Sequence, residues 1–333
     1  MRNTFANVFY ELGRHDPRLA VVVADISPAG SLEKFRQEFP ERFINVGVAE
    51  QVMIGMCAGM ALRGLRPFAY TIATFALFRP FEFVRDDLCY NNLPVTVVGI
   101  GGGVTYSTLG GTHHAQEDIA IATAIPNMAV IAPCDPAETR EATLWCAGQE
   151  RGPVYLRLGK AGEPVLTGEA LDPWAFGKIR YLRKGTDVCI LSYGTILKMA
   201  AEVGARLAAR GKGVSLVSAH TLKPLDVEGV AEVLRGHPHV VVIEETAPQG
   251  GLGPRVKQIA WDTGASCRLD TFSLEDAFHH SYGSHGDLLA VHGLSVESIL
   301  ARLDGAPGGD ALPGLAPASR GVIAHDAERI ARR

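Results

Sequence analysis

No apolar run in this chain approaches the ~20 residues that a membrane-spanning helix needs; the runs present are strand-length. No charged-then-apolar signal segment opens the sequence, and residues 1–14 read as an ordinary amphipathic helix. Excess positive charge is also missing. Lys and Arg total 32 against 36 Asp and Glu, a formal net charge of −4. With a pI near 6.3 there is no electrostatic case for nucleic acid or an anionic membrane. The six cysteines (Cys57, Cys89, Cys134, Cys146, Cys189, Cys267) show no C-x-x-C spacing. That argues against a zinc site and suits a reducing, cytoplasmic setting. No short-period repeat appears. What is present is bulk: 333 residues, 47% hydrophobic and 20% charged. This is enough for roughly two domains of about 150 residues, and it excludes disorder as the main state.

Short β-branched runs alternate with helix-like stretches, which predicts an α/β fold class. Strands are expected at 19–24, 67–72, 94–100, 128–132 and 154–158, and helices at 48–63, 75–91, 117–124 and 136–146. The strand runs lack polar alternation, as in parallel sheets buried on both faces. Asp135, Pro136 and Glu138 spell a helix start, and Gly64 can close the helix before it. Residues 159–184 break the pattern with Gly162, Pro164, Gly168, Pro173 and Gly177. Alternation then resumes, with strands at 187–192, 213–218, 240–244 and 266–272 and helices at 196–210, 227–234, 254–263 and 296–303. The expected layout is two consecutive α/β domains, each with a mostly parallel sheet flanked by helices. Residues 1–160 form the first, 161–184 a linker and 185–303 the second, and 304–333 are a Gly/Pro/Ala-rich tail expected to be mobile.

Open α/β sheets bind ligands at the carboxyl ends of their strands. Two segments qualify in the first half. Asn45-Val46-Gly47-Val48-Ala49-Glu50-Gln51 opens a very apolar helix. Glu50 is either an acid favourably placed in a first helical turn or a carboxylate held in an apolar site. Residues 99–116 form a glycine-rich loop containing Gly110-Gly111-Thr112-His113-His114. It is neither a phosphate loop nor a dinucleotide fingerprint, but its glycines permit close backbone approach to a ligand. His113 and His114 are structural or hydrogen-bonding groups, or less simply metal ligands. Phe75, Phe78, Phe81 and Phe83 are either core residues or an aromatic wall for a flat heterocycle. Ser192-Tyr193-Gly194-Thr195 reads as a capped turn or an anion site at a helix start.

Taken together, four segments resemble the transketolase family of thiamine-diphosphate enzymes: Val23-Ala24-Asp25, the Asn45–Gln51 run, Thr74-Phe75-Ala76-Leu77-Phe78-Arg79-Pro80-Phe81, and the Gly-Thr-His-His loop. Leu156-Arg157-Leu158, Thr221-Leu222-Lys223-Pro224-Leu225-Asp226 and Gly250-Gly251-Leu252-Gly253 resemble family segments too. The resemblance implies a pyrimidine-binding domain followed by a transketolase C-terminal domain. It implies that Glu50 hydrogen-bonds the aminopyrimidine of thiamine diphosphate, favouring the tautomer that removes the thiazolium proton. By the same resemblance Phe78 stacks on that ring, Phe75 and Phe81 complete the pocket, and Asp25 lies near the cofactor at a subunit interface. His113 and His114 face substrate, and Arg157 binds a sugar-phosphate end.

One family feature is missing. Full-length members carry an N-terminal domain whose Gly-Asp-Gly and downstream Asn hold Mg²⁺ and the diphosphate; here Gly309-Asp310-Ala311 lacks the second glycine. The resemblance therefore implies a split transketolase, with a separate chain supplying diphosphate binding and Mg²⁺, and an α2β2 assembly. Leu109 stands where many members have a donor-reading aspartate, Gly101 where they have a histidine, and Ala29 where they have a serine. This points to a two-carbon ketol transfer on sugars other than the standard pentose phosphates. The rivals are a 2-oxo-acid dehydrogenase β subunit, a 1-deoxyxylulose-phosphate-synthase-like enzyme, and a non-catalytic assembly subunit. His279, His280, His285 and Asp287 look like a metal cluster, but the family gives no reason for one; surface or interface positions are expected and no metal ligands are assigned to this chain.

Overall fold

The computed structural model describes residues 1–26, 30 and 32–305. Ala29, the tail beyond Gly305 and Gly309-Asp310-Ala311 lie outside the described residues. The strands follow the apolar runs: β1 (Leu19–Val23), β2 (Phe43–Asn45), β3 (Arg66–Ile72), β4 (Thr96–Ile100), β5 (Ala129–Ile131), β6 (Val154–Leu158), β7 (Arg180–Arg183), β8 (Val188–Ser192), β9 (Val214–Ser218), β10 (Thr221–Lys223), β11 (His239–Ile243) and β12 (Arg268–Phe272). Every residue of β1, β4, β6, β8 and β9 is buried, the signature of strands covered by helices on both faces. One sheet has the order β10-β5-β6-β4-β3-β1-β2 and the other β12-β11-β8-β9-β7. All pairings are parallel except β10 with β5 and β7 with β9, both at sheet edges.

Three expectations need correcting. The single helix expected at 75–91 is broken. One helix spans Ala73–Leu77, a turn follows, and a second begins at Phe81 and continues through a π-helical stretch, Val84–Tyr90. Pro80 explains the break, because it has no N–H to donate and its ring crowds the preceding turn. The 161–184 segment is not merely connecting chain. It ends in β7, and Phe176 stacks on Trp145 at 3.8 Å while Trp174 stacks on His220. Finally, β10 belongs by sequence to the second half but completes the first sheet, stitching the two halves together. The sequence reading also missed β2 and the helix Leu32–Glu38, too short to show a period.

Asp135 caps its helix as expected, accepting from the Glu138 amide at 2.8 Å. The residue also accepts the Leu166 and Thr167 amides and the Thr167 hydroxyl, which ties the 161–184 segment to the first half.

Candidate functional site

Parallel pairing brings the chemistry together. Strands β4, β3, β1 and β2 are consecutive neighbours running the same way, so the segments leaving their carboxyl ends share one rim. Asp25 follows β1, Glu50 follows β2, Phe75 through Phe81 follow β3, and the Gly101–His114 loop follows β4. Asp25 has φ 42, a left-handed conformation that an aspartate tolerates at some cost. Its amide is held by Asn45 Oδ1 at 3.2 Å, and the same oxygen accepts from the Gly47 amide at 3.0 Å.

Glu50 begins the helix Glu50–Leu62 and is 2% exposed. Its Oε1 accepts a 2.7 Å hydrogen bond from Arg79 Nη1, while its Oε2 is buried without a partner among the described residues. A buried carboxylate oxygen of this kind costs stability unless a ligand satisfies it. Nothing in the spacing of Arg79 marks it for this contact. Its guanidinium carbon lies 4.4 Å from the centre of the Phe75 ring, and Phe75 in turn meets the His113 ring edge-on at 5.1 Å. Phe75 and Phe78 are half-buried and Phe81 is exposed, because the Pro80 break turns it outward. Glu50, Arg79, Phe75 and His113 thus form one contiguous cluster, open to a flat, hydrogen-bonding heterocycle. Burial lowers the pKa of His113, and the charge of Arg79 lowers it further. Thr112 Oγ1 lies 2.9 Å from its Nδ1.

The glycine loop is shaped by close packing. A Cβ on Gly101 would meet the Tyr106 ring at 2.3 Å, so Tyr106 fills the space a side chain at 101 would take. Tyr106 also faces His113, with ring centres 6.3 Å apart. His114 is 4% exposed with an unpartnered Nε2, and burial lowers its pKa. Leu109 is 49% exposed at the loop tip.

Arg157 is placed elsewhere. It lies within β6, is 5% exposed, and donates from Nε to Asp118 Oδ2 at 2.8 Å and from Nη2 to the Glu245 carbonyl at 2.9 Å. Burial opposes its charge most strongly, but Asp118, Tyr193, Glu245 and Tyr155 together outweigh it and its pKa is raised. Tyr155 donates to the same Asp118 oxygen. Arg157 therefore braces the two domains, and its guanidinium is committed to protein groups.

The second-half histidines also take separate partners. His285 pairs with Glu245, and Asp287 forms a capping box with Ser284. Glu275, His279 and His292 do approach one another within 4.8 Å. The Glu275 amide donates to His292 Nδ1 at 3.1 Å. Nδ1 is thereby an acceptor, so a neutral ring carries its proton on Nε2, which is the wrong tautomer for a metal ligand there. The Ser192–Thr195 turn bears no side-chain cap.

Residues 1–162 match the transketolase pyrimidine-binding domain, and residues 177–299 match the transketolase C-terminal domain. A putative transketolase C-terminal section from Methanocaldococcus jannaschii is 36% identical over 304 residues, spanning 91% of this chain and 95% of that protein. A 6-deoxy-6-sulfo-D-fructose transketolase subunit from a Clostridium species is 36% identical over 253 residues, spanning 76% of this chain and 78% of its own. A solved structure described as a split gene transketolase, inactive beta4 tetramer, superposes with a TM-score of 0.82 at 34% identity, covering 92% of this chain and 97% of that one.

Proposed function

The chain belongs to the transketolase family as a subunit of a split transketolase, and from that premise we propose how its residues work and on what. The observation that carries the reading is Glu50: a buried carboxylate with one unpartnered oxygen, at the shared rim of four parallel strands and beside half-open aromatic rings. These residues fit the aminopyrimidine end of thiamine diphosphate. As in a split transketolase, a partner chain with Gly-Asp-Gly and its downstream Asn would hold Mg²⁺ and the diphosphate. When bound, the cofactor supplies the carbon nucleophile that carries the two-carbon unit from ketose to aldose.

The chain's own groups have distinct tasks. Glu50 hydrogen-bonds the ring nitrogen and can share a proton with it, which Gln could not do. Phe78 and Phe75 would offer aromatic faces to the pyrimidine and Asp25 would lie near the interface, whereas Phe81, 40% exposed and turned outward, belongs to the subunit face rather than to the pocket. His113 and His114 hydrogen-bond substrate oxygens as charge develops on them. A leucine at 109 and a glycine at 101 remove two polar contacts of the common pattern. We assign the donor to sugars outside the standard pentose phosphates, with an acidic or deoxy end as in the name of the Clostridium relative. Val48, just ahead of the Glu50 helix, and Val52 and Met56 on it expose an apolar stripe, next to exposed Phe81 and Phe83. That stripe supports burial against a second subunit, and we assign the chain to an α2β2 assembly in the cytoplasm.

The test is native mass spectrometry of the tagged chain isolated with Mg²⁺ and thiamine diphosphate. A co-purifying chain bearing Gly-Asp-Gly is expected. The pair should transfer a two-carbon unit from acidic or deoxy ketoses in preference to the standard pentose phosphates, activity on the latter alone overturning the donor assignment, and Glu50→Gln should cut turnover by about 100-fold or more. Turnover by this chain alone would overturn the split arrangement. Unchanged turnover in Glu50→Gln would favour an assembly role, and dependence on a lipoyl carrier or consumption of pyruvate would favour a related reaction.

A further inference from the structure

We propose that Arg79 is the counter-ion of Glu50 in the cofactor-free chain, and that it must release this carboxylate when the cofactor binds; this rests on the reading of Glu50 given above. Glu50 is 2% exposed, and a carboxylate so placed is costly without a positive partner. Arg79 supplies it through the 2.7 Å contact to Oε1. Glu50 is fixed by its helix, whereas the Arg79 side chain is 42% exposed. Of the two groups, only Arg79 can swing into solvent without unfolding an element.

Arg79 also covers the second group assigned to the cofactor. Its guanidinium lies 4.4 Å from the centre of the Phe75 ring, a cation–π contact that an incoming heterocycle has to displace. One side chain thus engages one oxygen of the acceptor carboxylate, neutralising its charge, and covers an aromatic wall. Its backbone is anchored, since Gln51 Nε2 reaches the Arg79 carbonyl at 3.4 Å and Pro80 follows directly. Departure is therefore a side-chain rotation about a fixed point. The chemistry demands it. A carboxylate paired to a guanidinium only accepts hydrogen bonds, while the assigned task needs a carboxyl that can share a proton with a ring nitrogen.

A competitor and a ligand give opposite signs on removal. In Arg79→Met the thermal midpoint of the cofactor-free full chain should fall, since a buried carboxylate loses its partner. In the Glu50→Gln background the same substitution should have little effect, and Arg79→Lys should restore most of the midpoint. In the reconstituted two-subunit complex, Arg79→Met should tighten thiamine diphosphate binding about fivefold by calorimetry, because no ion pair has to be broken first. Weaker binding in Arg79→Met would make Arg79 a cofactor ligand and overturn the proposal. Unchanged affinity, or a midpoint loss that persists with Glu50→Gln, would overturn it as well. Failure of the unsubstituted complex to bind thiamine diphosphate would instead sink the functional reading on which the proposal rests.

Discussion

His220 is fully buried against Trp174, with ring centres 5.0 Å apart, and burial pushes its pKa down to about 3. His292 is 3% exposed and is pushed down to about 4 by burial first, then by neighbouring His279 and His114. Both titrate from an ordinary value of 6.5 when the chain unfolds. Below that value the unfolded chain binds protons that the native chain refuses, so stability is lost as pH falls from 6.5 toward 4. Each residue should cost about 2 kcal/mol between roughly pH 7 and pH 5. Urea unfolding at those two values checks this: His220→Phe and His292→Phe should each flatten the pH dependence, whatever they do to stability at neutral pH.

At the scale of elements, the helix Pro136–Gly148 shows how one side chain can set two structures. Asp135 satisfies the helix's Glu138 amide and three donors of the 161–184 segment. Asp135→Ala would strand those donors, two of them the amide and hydroxyl of Thr167, which is 1% exposed. The expected loss is about 3 kcal/mol, above an ordinary cap; chemical denaturation measures it. Asp135→Asn should recover part, because it keeps an acceptor oxygen. The cap was legible in the sequence as Asp-Pro-x-Glu. Its second task was not, because the partners lie about 30 residues away and only the folded chain brings them near. The broken helix after β3 had its signal in plain sight, since Pro80 sits in the middle of the run. Four phenylalanines at helical spacing outweighed it.

Across the whole molecule, the two halves are joined by buried polar contacts as well as by apolar packing. Asp118 and Arg157 are 0% and 5% exposed, and Arg157 reaches the Glu245 carbonyl in the other half. Arg157→Met would leave the Asp118 charge buried with only Tyr155 as its side-chain donor, a loss of about 3–5 kcal/mol. The double variant Asp118→Leu with Arg157→Met should cost less than that single change. Equal costs in urea unfolding would refute the coupling. The exposed apolar stripe belongs to this scale too. Val52, 54% exposed on the Glu50 helix, should tolerate Asp in the monomer's fold yet weaken subunit association. Native mass spectrometry should then show smaller assemblies at unchanged circular dichroism.

Local pattern was enough to determine the α/β class, most of the strands, their division into two mostly parallel sheets, and which segments leave the carboxyl ends of the first sheet. Buried parallel strands demand continuous apolar runs, and the segments after them must carry the polar chemistry, so both leave marks within a few residues. Only the tertiary structure decided that Arg79 faces Glu50 and Phe75, that Tyr106 fills the space beside Gly101, and that Arg157 turns inward to Asp118. It also decided that β10 crosses into the first sheet. These are contacts between residues far apart in sequence, or choices among rotamers of long side chains. Neither has a period or a spacing, and both are set by which surfaces the folded chain brings together.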